Sequence, residues 1–219
     1  ARQRSSKGVW LMAAPTYPLT LPTAPAFSQA RWTLKRATAM SESPFTGQQQ
    51  VFDYGYALWT ATLTLPPMMR EQAANWEAFM MKLHGRKGTF LLGDPDAKTI
   101  QGGANTTVTL DGAITVGSHT ISLQSNNASM TNIFKAGDYI QIGTAGTAKL
   151  YMIVDNATSN SSGVVSVNVE PAIKTAASDD AAVDYTAAQG VFRMDTADLG
   201  WDTNEVSRYG ITFSCTEAL

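Results

Sequence analysis

Residues 57–65 read Ala-Leu-Trp-Thr-Ala-Thr-Leu-Thr-Leu, and their alternation decides the fold class. Apolar Trp59 and Leu63 occupy one set of alternate positions, whereas Thr60 and Thr62 occupy the other. Successive side chains of a β-strand point to opposite faces, so a period of two predicts a strand with one apolar face and one hydroxyl-rich face.

The residues that precede this stretch predict a second strand and a turn. Strand-like runs cover Arg31 to Thr38 and Gln49 to Leu65, and Ser-Pro-Phe-Thr-Gly at residues 43–47 separates them as a turn would. The two runs therefore predict neighbouring strands of one sheet.

A proline-punctuated arm, from Tyr17 to Phe27, precedes the first strand. Its prolines exclude a helix and predict an extended segment that docks on another surface. We expect the apolar side chains of Leu19, Leu21 and Phe27 to anchor this arm on a neighbouring subunit and to become buried only on assembly.

A helix is predicted after Pro66 and Pro67, where the apolar period changes from two to that of an α-helix. The apolar residues at helical spacing are Ala73, Trp76, Phe79, Met80 and Leu83. Glu77 is expected on the exposed side, and Gly85 is expected to cap the C-terminal end. A short buried strand is predicted between Gly88 and Pro95.

Short Val, Ile and Thr strands separated by turn residues begin after Gln101, and their spacing predicts a small closed β-barrel. Strand patterning returns at Gly190 to Met194 and in a final strand, Tyr209 to Cys215, which we expect to pair with the earlier strands. The predicted domains are an arm at 1–30, a β core at 31–100 together with 186–219, and a barrel inserted at 101–185.

Composition and charge fit an ordered subunit whose surface is largely covered by neighbours, and they fit an ordinary Thr- and Ser-rich β protein equally well. Of 219 residues, 44% are hydrophobic and only 16% are charged, and the net charge is −2. The chain up to Met40 is basic, with Arg31, Lys35 and Arg36 as candidate assembly contacts, whereas residues 101–185 are mainly acidic. The sequence has no basic stripe interleaved with aromatic residues, so it does not predict a nucleic-acid site.

The sequence offers little for catalysis or metal binding. His84 and His119 are the only histidines, and the lone Cys215, within an alternating run, is expected to be a packed thiol. Turn chemistry is the simplest explanation for the acidic residues at 94–96 and 179–180. Paired carboxylates from two separate strands stay open as an alternative. We predict no enzyme, no catalytic, cofactor-binding or metal-binding residue, and no cofactor.

Ordered blocks of sequence resemble the distal tail proteins of siphophages. The first block contains Trp32-x-Leu34, the Ser-Pro-Phe-Thr-Gly-Gln turn, and Leu83-His-Gly-Arg-x-Gly-Thr-Phe-Leu-Leu-Gly-Asp-Pro95. The second runs from Phe134 to Gly143 and resumes at Leu150-Tyr151 and 169–173. The ending resembles them in Val191-Phe-Arg-Met194, Gly200-Trp201 and 211–219. The likeness covers nearly everything after about Tyr17.

This resemblance implies a mainly β protein, with a tail-tube-like β-sandwich, one flanking α-helix and the inserted barrel. It also implies a homo-oligomeric ring, a hexamer in this family, that joins the tail tube protein to the hub or tip proteins. DNA would pass through the lumen only as transient cargo, and no membrane insertion is expected. The protein would be assembled in the host cytoplasm and reside at the virion tail tip.

Two other functions are compatible with the sequence. In the first, the chain is a receptor- or carbohydrate-binding tail component, and its barrel would need exposed aromatics on one face, such as Tyr139, Tyr151 or Tyr185. Alternatively, the chain is another tail tube or connector subunit.

Overall fold

The computed structural model describes residues 15–198, 200–203 and 208–219. As the sequence predicts, the structure is mainly β, with 42% strand and 8% helix. The elements, in chain order, are β1 (Gln29–Glu42), β2 (Gln49–Thr64), α1 (Arg70–Leu83), β3 (Thr89–Leu92), β4 (Val108–Leu110), β5 (Thr120–Ser125), β6 (Tyr139–Ile142), β7 (Lys149–Ile153), β8 (Val164–Glu170), β9 (Ala182–Asp184), β10 (Gly190–Met194), β11 (Asp202–Thr203), β12 (Tyr209–Gly210) and β13 (Thr212–Glu217).

Five strands form a sheet in the order β1-β2-β13-β10-β3. The last strand, β13, pairs antiparallel with β2, with Cys215 opposite Ala61, so the predicted pairing of the final strand with earlier ones is confirmed. The predicted final strand, Tyr209 to Cys215, is divided: its first two residues form β12, which pairs with the unpredicted β11 in a separate ribbon, and residues 212–215 belong to β13.

The alternation in β2 places the core of the sheet on one face. Trp59, Ala61 and Leu63 are buried there, and α1 covers the same core. The predicted helix is confirmed, because the five apolar residues at helical spacing are its buried residues. Burying them removes apolar surface from water, which is the main stabilising contribution to such a layer.

Two details of the helix differ from the sequence-based expectation. The cap residue is His84, which adopts the left-handed conformation with φ 51°, and Gly85 follows it with φ 67°. Glu77 is half-buried instead of exposed, and its Oε1 atom has no hydrogen-bond partner among the described residues.

The predicted barrel is confirmed as a closed barrel of six strands, β4-β5-β8-β7-β6-β9. All six strands come from the part of the chain between β3 and β10. Alternate Val, Ile and Leu side chains fill the interior, among them Val108, Leu123, Ile140 and Val167. A small barrel whose interior is filled by side chains is a packed core and not a channel.

A buried polar cluster ties the barrel to the sheet. Lys174 from the barrel side donates to Glu217 Oε2 on β13, and Glu217 Oε2 also accepts the Trp59 backbone N–H at 3.2 Å. Lys149 Nζ on β7 donates to the Ala218 carbonyl at 2.6 Å. Burial lowers the pKa of both lysines, although Glu217 opposes that shift. These charges are buried away from water, so the hydrogen bonds and the ion pair must offset the hydration that each charge loses.

Candidate assembly surface

The outer halves of β1 and β2 project beyond the rest of the sheet. Strand β13 pairs with β2 only along Thr60 to Thr64, so the part of β2 before Thr60 has little besides β1 as a neighbour. We call residues 38–56 the projecting hairpin. Its large apolar side chains, 58% to 95% exposed, are Met40, Phe45, Val51, Phe52, Tyr54 and Tyr56.

A bulge within β2 shapes the base of this projecting hairpin. The register shifts between Arg36 and Thr38, and Gly55 adopts φ 74° while its N–H donates to Asp53 Oδ1 at 2.8 Å. A left-handed φ at this position suits glycine, because residues with a side chain rarely adopt that backbone conformation, although a Cβ here would meet no other group within 4 Å. The rings of Phe52 and Tyr54 pack edge to face with centroids 5.0 Å apart. An aromatic pair thus stands exposed beside the bulge.

Strand β1 is a long open edge. It has 14 residues and pairs only with β2 within the described chain. The opposite edge, β3, is occupied by the arm, since the Leu19 N–H donates to the Thr89 carbonyl at 2.8 Å and the Leu91 N–H donates to the Leu19 carbonyl at 2.9 Å. Unpaired main-chain groups on an edge strand are a template for pairing with another chain.

The predicted arm anchors lie against their own subunit. Leu19, Leu21 and Phe27 are half-buried and pack on the core of the sheet, where the ring of Phe27 lies 5.4 Å from that of Trp76. Part of the surface of these side chains is therefore already buried within the subunit, and their further burial by a neighbouring subunit stays a prediction. Residues 1–14 of the predicted arm lie outside the described part of the chain.

The predicted basic contacts are divided between the two faces of the sheet. Arg31 and Lys35 are exposed and lie opposite Thr62 and Leu58 in the β1–β2 register, on the face away from the core, which we call the outer face. Arg36 lies on the other face, where its Nη2 atom is 2.9 Å from Glu170 Oε2 of the barrel. Arg36 thus joins the hairpin base to the barrel within one chain.

Hydroxyl groups cover the outer face, as the alternation predicts. Thr62 and Ser214 share a hydrogen bond at 3.0 Å, and Thr212 donates to Thr64 at 3.2 Å. These cross-strand bonds use the hydroxyls among themselves, which stabilises the pairing of β2 with β13.

The barrel lacks the exposed aromatic face that a carbohydrate site would need at the three predicted tyrosines. Tyr151 is 1% exposed, its hydroxyl accepts the Lys174 N–H at 3.1 Å, and burial raises its pKa to about 12. Tyr139 is half-buried against Trp59. Tyr185 is half-buried and donates its hydroxyl to the Thr106 carbonyl at 2.8 Å.

The acidic pairs that the sequence singles out serve turns. Asp94 Oδ1 accepts the Asp96 N–H at 3.1 Å, and Asp179 Oδ1 accepts the Asp180 N–H at 3.0 Å within its turn and the Gly112 N–H at 2.7 Å from a second loop. Across residues 15–198, 200–203 and 208–219, no three His, Cys, Asp or Glu side chains come together as metal ligands would. Cys215 is fully buried, and burial raises the pKa of its thiol.

Comparison with protein-family models finds no match for this chain, and neither does comparison with curated protein sequences. In the described part of the chain, no helix is long and apolar enough to cross a bilayer.

Proposed function

We propose that this chain is a structural, non-enzymatic subunit of a tailed-bacteriophage virion. It forms a ring at the distal end of the tail, with a tail-tube-like β-sandwich as its core, and joins the tail tube protein to the tip or hub proteins. The observation that carries this proposal is the projecting hairpin, which exposes large apolar side chains next to an open strand edge.

The projecting hairpin exposes apolar side chains to water and has no third strand to stabilise it, so its free energy falls when a partner covers it. A two-stranded ribbon without a third strand is marginally stable at best. Fully burying a side chain such as Val51 or Phe52 contributes roughly 1.5–3 kcal/mol, so covering several of them stabilises an assembly. Main-chain groups on the β1 edge add hydrogen bonds when a strand from another chain pairs there.

The two edges of the sheet differ within the described chain. One edge, β1, is open, whereas the other, β3, is occupied by Leu19. Pairing of β1 with the β1 of a second copy would give a two-fold dimer, whereas contact of β1 with a different surface of the next subunit is head-to-tail and closes into a ring when the rotation between subunits permits. Six copies, the tube and hub as neighbours, and DNA passing through the lumen follow from the resemblance to distal tail proteins.

The test compares the assembly of the full chain with that of a hairpin variant, Val51→Ser/Phe52→Ser. Sedimentation velocity and particle imaging of the parent should show rings, and the variant should remain a folded monomer. The control is Met69→Ser/Met81→Ser, which changes two exposed apolar residues, 59% and 48% exposed, at the start of α1 and within it. If the parent needs its neighbours to close the ring, the same comparison is made with tail tube protein present.

Two results would contradict the proposal. One is a virion map that shows this chain as a single isolated copy outside any ring. The other is equal assembly of the parent and the hairpin variant. A ring located along the tube, and not at its end, would make the chain a tube or connector subunit instead.

A further inference from the structure

The outer face of the sheet carries exposed cations among its hydroxyls. Arg31, Lys35 and Arg193 lie on this face, since Arg193 pairs with Thr216 and Thr216 pairs with Thr60. All three are exposed, and none forms an ion pair with another described residue. We call these three residues the basic face.

One carboxylate lies beside the basic face without neutralising it. Asp195 Oδ1 accepts the Thr216 hydroxyl at 2.6 Å, and the Asp195 carbonyl accepts Arg86 Nε, also at 2.6 Å. Arg86 is itself exposed and adds a further positive charge at this end of the sheet. With Arg86, the basic face therefore has more positive charge than Asp195 can offset, although the net charge of the whole chain is negative.

One wall of the barrel has the opposite charge. Strands β4 and β9 pair with Val108 opposite Val183, and these two side chains point into the barrel. Asp184 is exposed on β9, and Asp111 is exposed directly after β4. Neither forms a salt bridge with another described residue. We call Asp111 and Asp184, with the adjoining turn at 179–180, the acidic wall.

The two surfaces cannot satisfy each other within one chain. The barrel is held by residues on the core side of the sheet, through Trp59 to Leu150 and Arg36 to Glu170. The basic face is on the other side of the same sheet. Opposite charges that point in different directions on one molecule can pair only between molecules.

We propose that the basic face of one subunit docks against the acidic wall of a second copy. This inference deepens the proposed function and rests on it, because it names two surfaces that meet around the ring. A contact between two different surfaces of the same chain is head-to-tail, which is the kind of contact that a ring requires. Complementary charges of this kind set the partner and the register, and they speed encounter.

The spacing of the charges matches. Arg31 and Lys35 are four residues apart on β1, roughly 13 Å at about 3.3 Å per residue. The β4–β9 ladder ends near Leu110, whose N–H donates to the Ala181 carbonyl and whose carbonyl accepts the Asp180 N–H. Asp184 and Asp111 therefore lie near opposite ends of this short ladder, about four residues apart along it. That separation is again roughly 13 Å. Two cations can therefore face two carboxylates at once.

A charge swap tests this docking in the full chain. The basic-face variant is Arg31→Glu/Lys35→Glu, and the acidic-wall variant is Asp111→Lys/Asp184→Lys. Self-association is measured by sedimentation velocity at low ionic strength with one component fluorescently labelled. Each variant alone should bind itself at least about tenfold more weakly than the parent does, because like charges then face each other. Mixing the two variants should restore the dissociation constant to within about threefold of the parent value.

A third variant, Arg70→Glu/Lys82→Glu, is the matched control. It has the same net charge as the basic-face variant, but its changes lie on exposed positions of α1, on the other side of the sheet. It should associate as the parent does. Rising salt should weaken the association of the parent, since exposed charges are screened at a Debye length of about 8 Å at physiological ionic strength.

The outcomes separate this inference from the proposed function. Parent rings that survive both charge reversals, or a mixture that fails to recover, refute the docking and leave the ring standing. Equal effects of the α1 control and the basic-face variant would show that only net charge matters, and they also refute it. Binding of a short mixed-sequence DNA duplex to the basic face, with self-association unchanged by the reversals, would assign that face to nucleic acid. A parent that never self-associates refutes both proposals.

Discussion

Trp59 donates its indole N–H to the carbonyl oxygen of Leu150 at 3.1 Å, across the junction between the sheet and the barrel. Trp59 is 4% exposed, and its ring also packs edge to face on Trp32 with centroids 6.2 Å apart. A hydrogen bond from a buried ring fixes how the two parts of the chain meet, because the donor has no water to bond if it moves away.

Replacing Trp59 with Phe should destabilise the protein by about 1–3 kcal/mol, since the Leu150 carbonyl then loses its partner in a buried site. Urea unfolding followed by circular dichroism measures the change. The matched control is Trp201→Phe, at a position that is 40% exposed, where we expect little effect. Equal stabilities of the parent and Trp59→Phe would show that the junction does not depend on this bond.

The arm should stabilise the isolated subunit. Phe27 is half-buried, and its ring lies 5.4 Å from Trp76 and 6.3 Å from Phe213. A fully buried Phe→Ala change costs about 3–5 kcal/mol, so Phe27→Ala should cost about half of that in thermal or denaturant unfolding of the monomer. Thr23→Ala, at an exposed position of the same arm, is the control. An unchanged monomer that assembles poorly would instead show that Phe27 acts only between subunits.

The buried face of α1 provides a stronger test of the core. Trp76 is 1% exposed, and its ring packs on Phe79 with centroids 6.0 Å apart. We expect Trp76→Ala to lower the free energy of unfolding by about 3–5 kcal/mol. Gln72→Ala changes an exposed position of the same helix and should be nearly neutral. A Trp76→Ala protein as stable as the parent would contradict the placement of the helix.

The ion pair between Lys174 and Glu217 should behave as a unit. The Lys174 and Glu217 side chains are 8% and 0% exposed, so removing one partner leaves the other charge buried without compensation. Glu217→Gln alone should destabilise by about 3–5 kcal/mol, whereas Lys174→Met/Glu217→Gln should cost less than the two single changes combined. A double-mutant cycle from denaturant unfolding measures the coupling. Additive single effects would show that the pair does not interact energetically.

Local patterns in the sequence were sufficient for the helix and the main strands, although not for the ribbon of β11 and β12. The alternation from Trp59 to Leu63 and the helical spacing from Ala73 to Leu83 correspond to a buried strand face and a buried helix face. Both follow from the period with which side chains meet one surface, and that period is set by backbone geometry. Regularly spaced turn residues after Gln101 likewise predicted a closed barrel.

The tertiary structure alone decided which surfaces remain free. From the sequence, Phe27 was expected to dock on a neighbour, yet it packs on Trp76 of its own chain. Alternation along β1 places Arg36 and Lys35 on opposite faces, but it does not show that Arg36 pairs with Glu170 of the barrel. Periodicity determines on which face of a strand or helix each side chain lies, and so which side chains must be covered by another part of the chain. The partner itself lies far along the chain, and only the free energy of the whole folded arrangement selects it.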